Sequence, residues 1–330
     1  MATRVGEIAE NYMLADRWSA MTSKVRAVEI SWSKTLASAL FSTNVWFGRV
    51  VGIGLLCSNP KAWLLALLGN LIANLSARIF SQNAFLSRSH PISLNGVYVG
   101  VAIAAFVPSL LQSLTLLTLA ATIVPSAAVV CGRLLRPWGL KALVIPYVVI
   151  VWMLQLLSGS GSNFSVVASV APSLTIDIPV WLVGALRAPA LVYFQDSVIF
   201  GAVVWISIFV LAGKRSLLAV GSVIVPQFLA MAVWPDHWGT SAGMFGFCGI
   251  ILFMANENAV FKTDDRRMLI LIILLSGLIE GAALRLFAVT PLYALSAPAM
   301  LMVWLIDLAR ETNTSADLAA KSSPPKSIKW

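Results

Sequence analysis

Charge is what this chain has least of. Only 11% of its 330 residues are charged, 14 Asp and Glu against 23 Lys and Arg, where a soluble domain carries about 25%. Carboxylates and imidazoles are the usual proton-moving groups of enzymes. The two histidines, His90 and His237, both fall near expected loops. No HExxH, Walker loop, GxSxG or paired-carboxylate arrangement occurs, so neither an enzyme nor a cofactor is expected. The three cysteines, Cys57, Cys131 and Cys248, each lie in an apolar stretch and form no CxxC pair. That excludes a disulfide framework and argues against a metal site. The net charge of +9 is scattered between apolar runs, where orientation on a bilayer explains it better than a nucleic-acid partner. Met1 to Ile30 is mostly polar and lacks the apolar core of a cleavable signal peptide.

What the chain does have is hydrophobicity: 59% apolar residues and a mean hydropathy of +0.86. This is the composition of an integral membrane protein, whose immediate partner is the lipid bilayer. The chain also repeats itself at an offset of 152 to 153 residues. Phe41-Ser-Thr-Asn-Val-Trp-Phe-Gly48 returns as Phe194-Gln-Asp-Ser-Val-Ile-Phe-Gly201, and Leu64-Leu-Ala66 as Leu217-Leu-Ala219. Asn95-Gly96 falls opposite Cys248-Gly249, and Leu143 to Trp152 opposite Leu295 to Trp304, each with a Pro three residues and a Trp nine residues after the Leu. Four matches in the same order with constant spacing argue for a duplicated half. In membrane proteins an inverted pair of halves builds a solute path at its interface.

Each half offers a short apolar lead-in, about 33–43 and 180–196, followed by five apolar segments. The expected fold is all-α: about ten transmembrane helices plus two half-helices, as two inverted five-helix repeats. Five crossings per half would invert the second half relative to the first, and the basic loops test this. With the amino terminus inside, the inner loops carry Arg88, then Arg133, Arg136 and Lys141, then Lys214 and Arg215, then Lys262, Arg266 and Arg267. The outer loop from Ser158 to Pro179 has no Lys or Arg; Lys61 is the main exception on the outer side, and Arg285 falls close to an outer end. The domains expected are a cytoplasmic amphipathic arm at 1–32, a first membrane repeat at 33–157, and an extracytoplasmic loop at 158–179. A second repeat at 180–308 and a disordered cytoplasmic tail at 309–330 complete the chain. Asn163-Phe-Ser165 in the outer loop matches a glycosylation sequon, a pattern common by chance.

The repeated blocks carry a family resemblance. The two lead-ins, LNGVYVGVAIA at 94–104, GMFGFCGIILFMA at 243–255 and the two Pro…Trp segments resemble the urea transporter family. Its halves each hold a lead-in of the form RGxGQVFFQxNPxTG, a G(Y/F)NGxLVG span and an LTxPFVxATW segment. The resemblance covers about residues 33–308, and its specificity lies in the order and spacing of blocks. It implies a homotrimer in which each protomer has its own pore between inverted halves, passing a small neutral urea-like solute down its gradient, in a bacterial inner membrane with both termini cytoplasmic. Aromatic faces would hold the flat solute while carbonyls and a few polar side chains accept its N–H donors, because lipid offers no replacement for lost water.

The residues carried over to the solute pathway are Ser38, Phe41, Asn95, Val144, Pro146, Leu191, Phe194, Cys248, Ser296 and Pro298. Several depart from the family pattern. Ser38 and Leu191 stand where each lead-in has glutamine. Val144 and Ser296 replace the threonines, Lys141 and Tyr293 the prolines before them, and Cys248 the second asparagine. Phe41, Phe194, Asn95, Pro146 and Pro298 keep it. Phe41 and Phe194 fit both slot walls and helix packing. Pro146 and Pro298, at matched positions, are expected to free backbone carbonyls toward a cavity rather than simply kink helices. Asn70 and Asn74 share a helix face and suit interhelical hydrogen bonding. Glu280, amid Gly277, Gly281, Ala282 and Ala283, is a possible intramembrane polar site or a packing contact. Three functions stay open: a urea-type channel, a homologue passing or exporting a less polar or larger metabolite, and a closed membrane scaffold. Ion coupling through Glu280 is a minor alternative.

Overall fold

The computed structural model describes residues 21–23, 25–80, 90–158, 179–235, 238–258, 260, 266–290 and 292–322. Most of the arm, most of the 158–179 loop with its sequon, and Arg88, His237 and Lys262 lie outside them. The described residues form helices and no strand. They are α1 (residues 25–38), α2 (Val45–Ser58), α3 (Pro60–Phe80), α4 (His90–Phe106), α5 (Leu110–Leu135), α6 (Ile145–Ser158), α7 (Val180–Leu191), α8 (Val198–Ala212), α9 (Ser216–Val233), α10 (Trp238–Glu257), α11 (Arg266–Ala288) and α12 (Ala297–Ser322). Among the described residues, four stretches are long and apolar enough to cross a bilayer: Pro60–Phe80, Leu110–Trp138, Val198–Val233 and Arg267–Ala288. Others are short. The 12 residues of α7 span only about 18 Å at 1.5 Å per residue, well under a hydrocarbon core.

The short helices end in matching ways. α1 stops where Phe41 N–H donates to Ser38 O (2.9 Å) and Ser42 N–H to Ala37 O (3.1 Å). α7 stops where Phe194 N–H donates to Leu191 O (2.9 Å) and Gln195 N–H to Ala190 O (3.2 Å). These are paired Schellman closures, which satisfy the last carbonyls of a helix. Their left-handed residue is usually glycine, yet here it is Phe41 (φ 57°) and Phe194 (φ 55°). Such a backbone costs an ordinary residue roughly 1–2 kcal/mol. The segments entering α6 and α12 bend likewise at Leu143 (φ 43°) and Leu295 (φ 50°). The next helices start on side-chain caps: Asn44 accepts from the N–H groups of Trp46 and Phe47 at α2, and Ser197 from that of Phe200 at α8.

Close helix contacts recur at the same offset. A Cβ on Gly48 would strike the Ser33 carbonyl, and one on Gly201 the Leu186 carbonyl. Gly96 lies against the Gly69 carbonyl and Gly249 against that of Ser222. Two contacts cross between the halves reciprocally. Trp152 Nε1–H donates to Tyr293 O (2.8 Å), and Trp304 Nε1–H to Lys141 O (2.9 Å). Such an exchange is what a two-fold relation produces.

One expectation meets a different outcome. Pro146 and Pro298 are the second residues of α6 and α12. In a first turn a proline lacks only an N–H that has no helical partner, so these prolines start helices and release no carbonyl. The prolines inside helices are Pro125, Pro189 and Pro226. At the other end of the chain, α12 runs to Ser322. Leu318, Ala319 and Ala320 favour helix there.

Helix α1 is fastened to α2 by an ion pair. Arg49 donates from Nε and Nη2 to the two oxygens of Glu29 (2.7 and 2.8 Å), and Ser33 Oγ donates to the same carboxylate. The Arg49 guanidinium holds the Glu29 carboxyl down to about 2. A depressed carboxyl contributes stability above its free value, near 4.3, that is lost as pH falls through its folded one. The attachment of α1 should therefore hold at pH 5 and loosen progressively from about pH 4 toward pH 2. Glu29→Gln should raise tryptic cleavage at Arg26 several-fold at neutral pH with detergent-solubilised protein. Unchanged cleavage would assign the anchoring to packing alone.

Candidate functional site

A cavity of about 210 Å³ lies between residues drawn from both halves. The end of α4 contributes Ala104 to Phe106, and α6 contributes Tyr147. The turn after α7 contributes Leu191, Val192 and Phe194, α10 contributes Met244 and Phe247, and the bend before α12 contributes Tyr293 to Ser296. Its walls are rings. Phe106 stacks on Tyr293 (centroids 5.0 Å apart, 16°). Phe194 meets Phe106 (6.1 Å) and Tyr147 (6.2 Å) edge-on, and Tyr98 stacks on Tyr147 (4.7 Å). Mutually perpendicular and stacked rings fix one another's rotamers and leave flat apolar faces. The strain at Phe194 thus has a purpose, since the left-handed turn aims its ring into this cluster.

Polar groups are few and mostly engaged within the chain. The hydroxyls of Tyr147 and Ser296 bond to each other across the two halves, and both residues are buried. Tyr98 Oη–H donates to Ala39 O (3.3 Å) and Tyr193 Oη–H to Leu36 O (3.0 Å), so two carbonyls near the end of α1 are already occupied. Asp196 lines the cavity and pairs with Arg187 at 3.2 Å.

The residues singled out by sequence separate into three groups. Leu191, Phe194 and Ser296 line the cavity. Phe41 does not line the cavity and packs against two hydrophobic clusters, and Ser38 Oγ–H donates to Thr35 O in its own helix (2.6 Å). Val144 and Pro298 are buried, and Pro146 faces a second cavity.

Asn95 and Cys248 sit behind the wall. Asn95 is fully buried; its Nδ2 donates to Leu143 O (2.9 Å) and Pro91 O (2.7 Å), and its Oδ1 accepts from Tyr147 N–H (2.9 Å). One amide side chain therefore clamps the strained bend at Leu143. Cys248 instead donates through Sγ to Glu280 Oε2 (2.6 Å), joining α10 to α11. Glu280 is fully buried, and its other oxygen, Oε1, has no hydrogen-bond partner. Its neighbours are packing contacts: a Cβ on Gly277 would strike the Pro226 backbone, and one on Gly281 the Trp234 ring. Asn74 bonds Asn70 on its own helix and receives a bond from Ser93 of α4 (3.0 Å), an interhelical link.

The urea transporter family model matches residues 31–311. The chain belongs to the urea transporter family. It is thus an integral membrane protein of a channel family, not an enzyme family. Against the family pattern, Tyr147 stands where the LTxPF segment has phenylalanine, Tyr98 where the G(Y/F)NGxLVG span has leucine, and Tyr193 where the lead-in has phenylalanine. Sequence reasoning passed over all three tyrosines because each substitution looks conservative in an apolar run. Comparing the two halves position by position exposes them: Tyr147 is opposite Ala299 and Tyr98 opposite Ile251.

Removing the Asn95 amide would strand buried backbone groups worth about 1–3 kcal/mol each. Asn95→Leu should lower the thermal unfolding midpoint in detergent by several degrees, whereas Cys248→Ser should move it less. Equal effects would contradict the clamp.

Proposed function

We propose that this protein is a channel for facilitated diffusion of urea or a related small neutral polar solute, with one pore inside each protomer between two inverted halves. The observation that carries the reading is the ring-walled cavity between the halves in a chain of this family. Flat aromatic faces fit a flat, dehydrated solute, and the Tyr147–Ser296 hydroxyl pair at its wall offers both a donor and an acceptor.

The inverted arrangement is supported by the matched left-handed residues, the paired glycine contacts and the reciprocal Trp152 and Trp304 bonds. Ten crossings with both termini cytoplasmic agree with the basic residues at 132–141 and 258–267. A homotrimer in a bacterial inner membrane follows from the family resemblance. Labelling of Ser160→Cys from outside and Thr263→Cys from inside checks the topology; labelling of both from one side contradicts it.

One observation favours a second reading, in which the solute is less polar or larger than urea. Leu191 is apolar where the family has glutamine and lies on the cavity wall, while the Ser38 hydroxyl is committed to its own helix. Two side chains able to bind urea are absent. A net hydrogen bond is worth about 0.5–1.5 kcal/mol, so the pair accounts for roughly one to two orders of magnitude in passage. Ser38→Gln with Leu191→Gln should raise urea flux in vesicle shrinkage assays by about that factor. Tyr147→Phe should lower urea flux relative to that of a less polar amide. Rapid urea flux through the unmodified protein, unchanged by the glutamine pair, would show that these positions do not set the filter.

A further inference from the structure

A second cavity, of about 480 Å³, lies where α4 begins, α5 ends and the chain turns back toward α6. Its walls include Ile92, Ala128, Leu140, Leu143 and Pro146, which are apolar. Two cations, Arg136 and Lys141, also line it, and no acidic side chain does. Both are exposed, and neither takes part in the ion pairs among the described residues. The turn between them runs through Gly139 at φ 67°, and this reversal returns Lys141 to the cavity that Arg136 borders. Gly132 leaves open space on the α5 side, since a Cβ there would meet nothing within 4 Å. Trp138, 60% exposed, lies in the same turn, between Arg136 and Gly139 in sequence. Apolar walls under two cations without an ion-pair partner among the described residues, with an exposed tryptophan in the same turn, match an amphiphile at the membrane–water boundary.

We propose that this groove binds one anionic phospholipid, with its phosphate between Arg136 and Lys141 and an acyl chain along Ile92, Leu140 and Leu143. Charge complementarity selects this occupant, because a zwitterionic headgroup brings an ammonium to the same two cations. The floor of the groove is the strained bend at Leu143 that Asn95 clamps. A bound lipid thus seals the outer side of that bend against water. The site does not depend on which solute the channel passes.

The test is native mass spectrometry of the full-length protein in neutral detergent, titrated with phosphatidylglycerol and with phosphatidylcholine of the same acyl chains. The unmodified protein should bind one phosphatidylglycerol at least tenfold more tightly than phosphatidylcholine. Each basic contact near a membrane surface is worth about a factor of five, so Arg136→Gln with Lys141→Gln should weaken phosphatidylglycerol binding by roughly tenfold or more and leave phosphatidylcholine unchanged. Leu140→Trp, which fills the groove, should reduce binding of phosphatidylglycerol without removing a charge. Equal binding of the two lipids, or phosphatidylglycerol binding unaffected by the double substitution, would overturn the proposal. Displacement by millimolar inorganic phosphate alone would overturn it in favour of a free-anion site. Protection of the groove only in oligomers stripped of lipid would assign it to a second copy of the chain. An unchanged unfolding midpoint shows that the variants remain folded.

Discussion

Every backbone N–H and C=O inside a bilayer needs a partner from the protein, and this constraint governs the rest of the structure. A helix too short to span the bilayer breaks the rule unless its last turn is closed locally. After α1 and α7 that closure is made by Schellman bonds, and the chain bends again at Leu143 and Leu295 where it enters α6 and α12. Each requires a left-handed residue, and in all four places that residue is a large apolar one. Glycine would relieve the strain but would supply no ring and no packing. Of the four, Phe194 and Leu295 line the cavity between the halves, Leu143 lines the second cavity, and Phe41 packs into the hydrophobic core.

The scaffold contacts are symmetric and the cavity-facing ones are not. Gly48 with Gly201, Gly96 with Gly249, and Trp152 with Trp304 repeat the same contact in both halves. Asn95 clamps its bend, while Cys248 at the matching position turns to Glu280. Leu191 and Ser296 face the cavity, while Ser38 and Val144 do not line it. Backbone closure leaves no freedom at the first set of positions, whereas side chains around a cavity can change one at a time. The bend at Leu295, which borders the cavity, is held by the Ser296–Tyr147 pair and the Trp152 bond to Tyr293 rather than by an amide clamp.

Much of the fold was legible in the sequence because membrane helices announce themselves by apolar length and because the repeat fixed which segments correspond. The left-handed Phe41 and Phe194 sit in the block that first revealed the repeat, although nothing in their identity signals a positive φ. The site was less legible. Asn95 reads as a pore residue from its family position, but its amide is used up on Leu143 and Tyr147. Pro146 and Pro298 read as helix breakers because their distance from the helix start was not visible. The cavity rings Phe106, Tyr147, Phe247 and Tyr293 come from four separate elements. No spacing rule along one helix joins them.

The central claim is that solute passes through the cavity between the two halves, and Leu191 offers the most direct test. In a background with the exposed Cys57 changed to Ser, Leu191→Cys would be reconstituted in vesicles and modified with a bulky thiol reagent, alongside a Leu156→Cys control on the exposed surface. The account predicts that complete modification at 191 abolishes solute flux and that reductant restores it, while modification at 156 changes nothing. Undiminished flux through protein fully modified at 191 would contradict it.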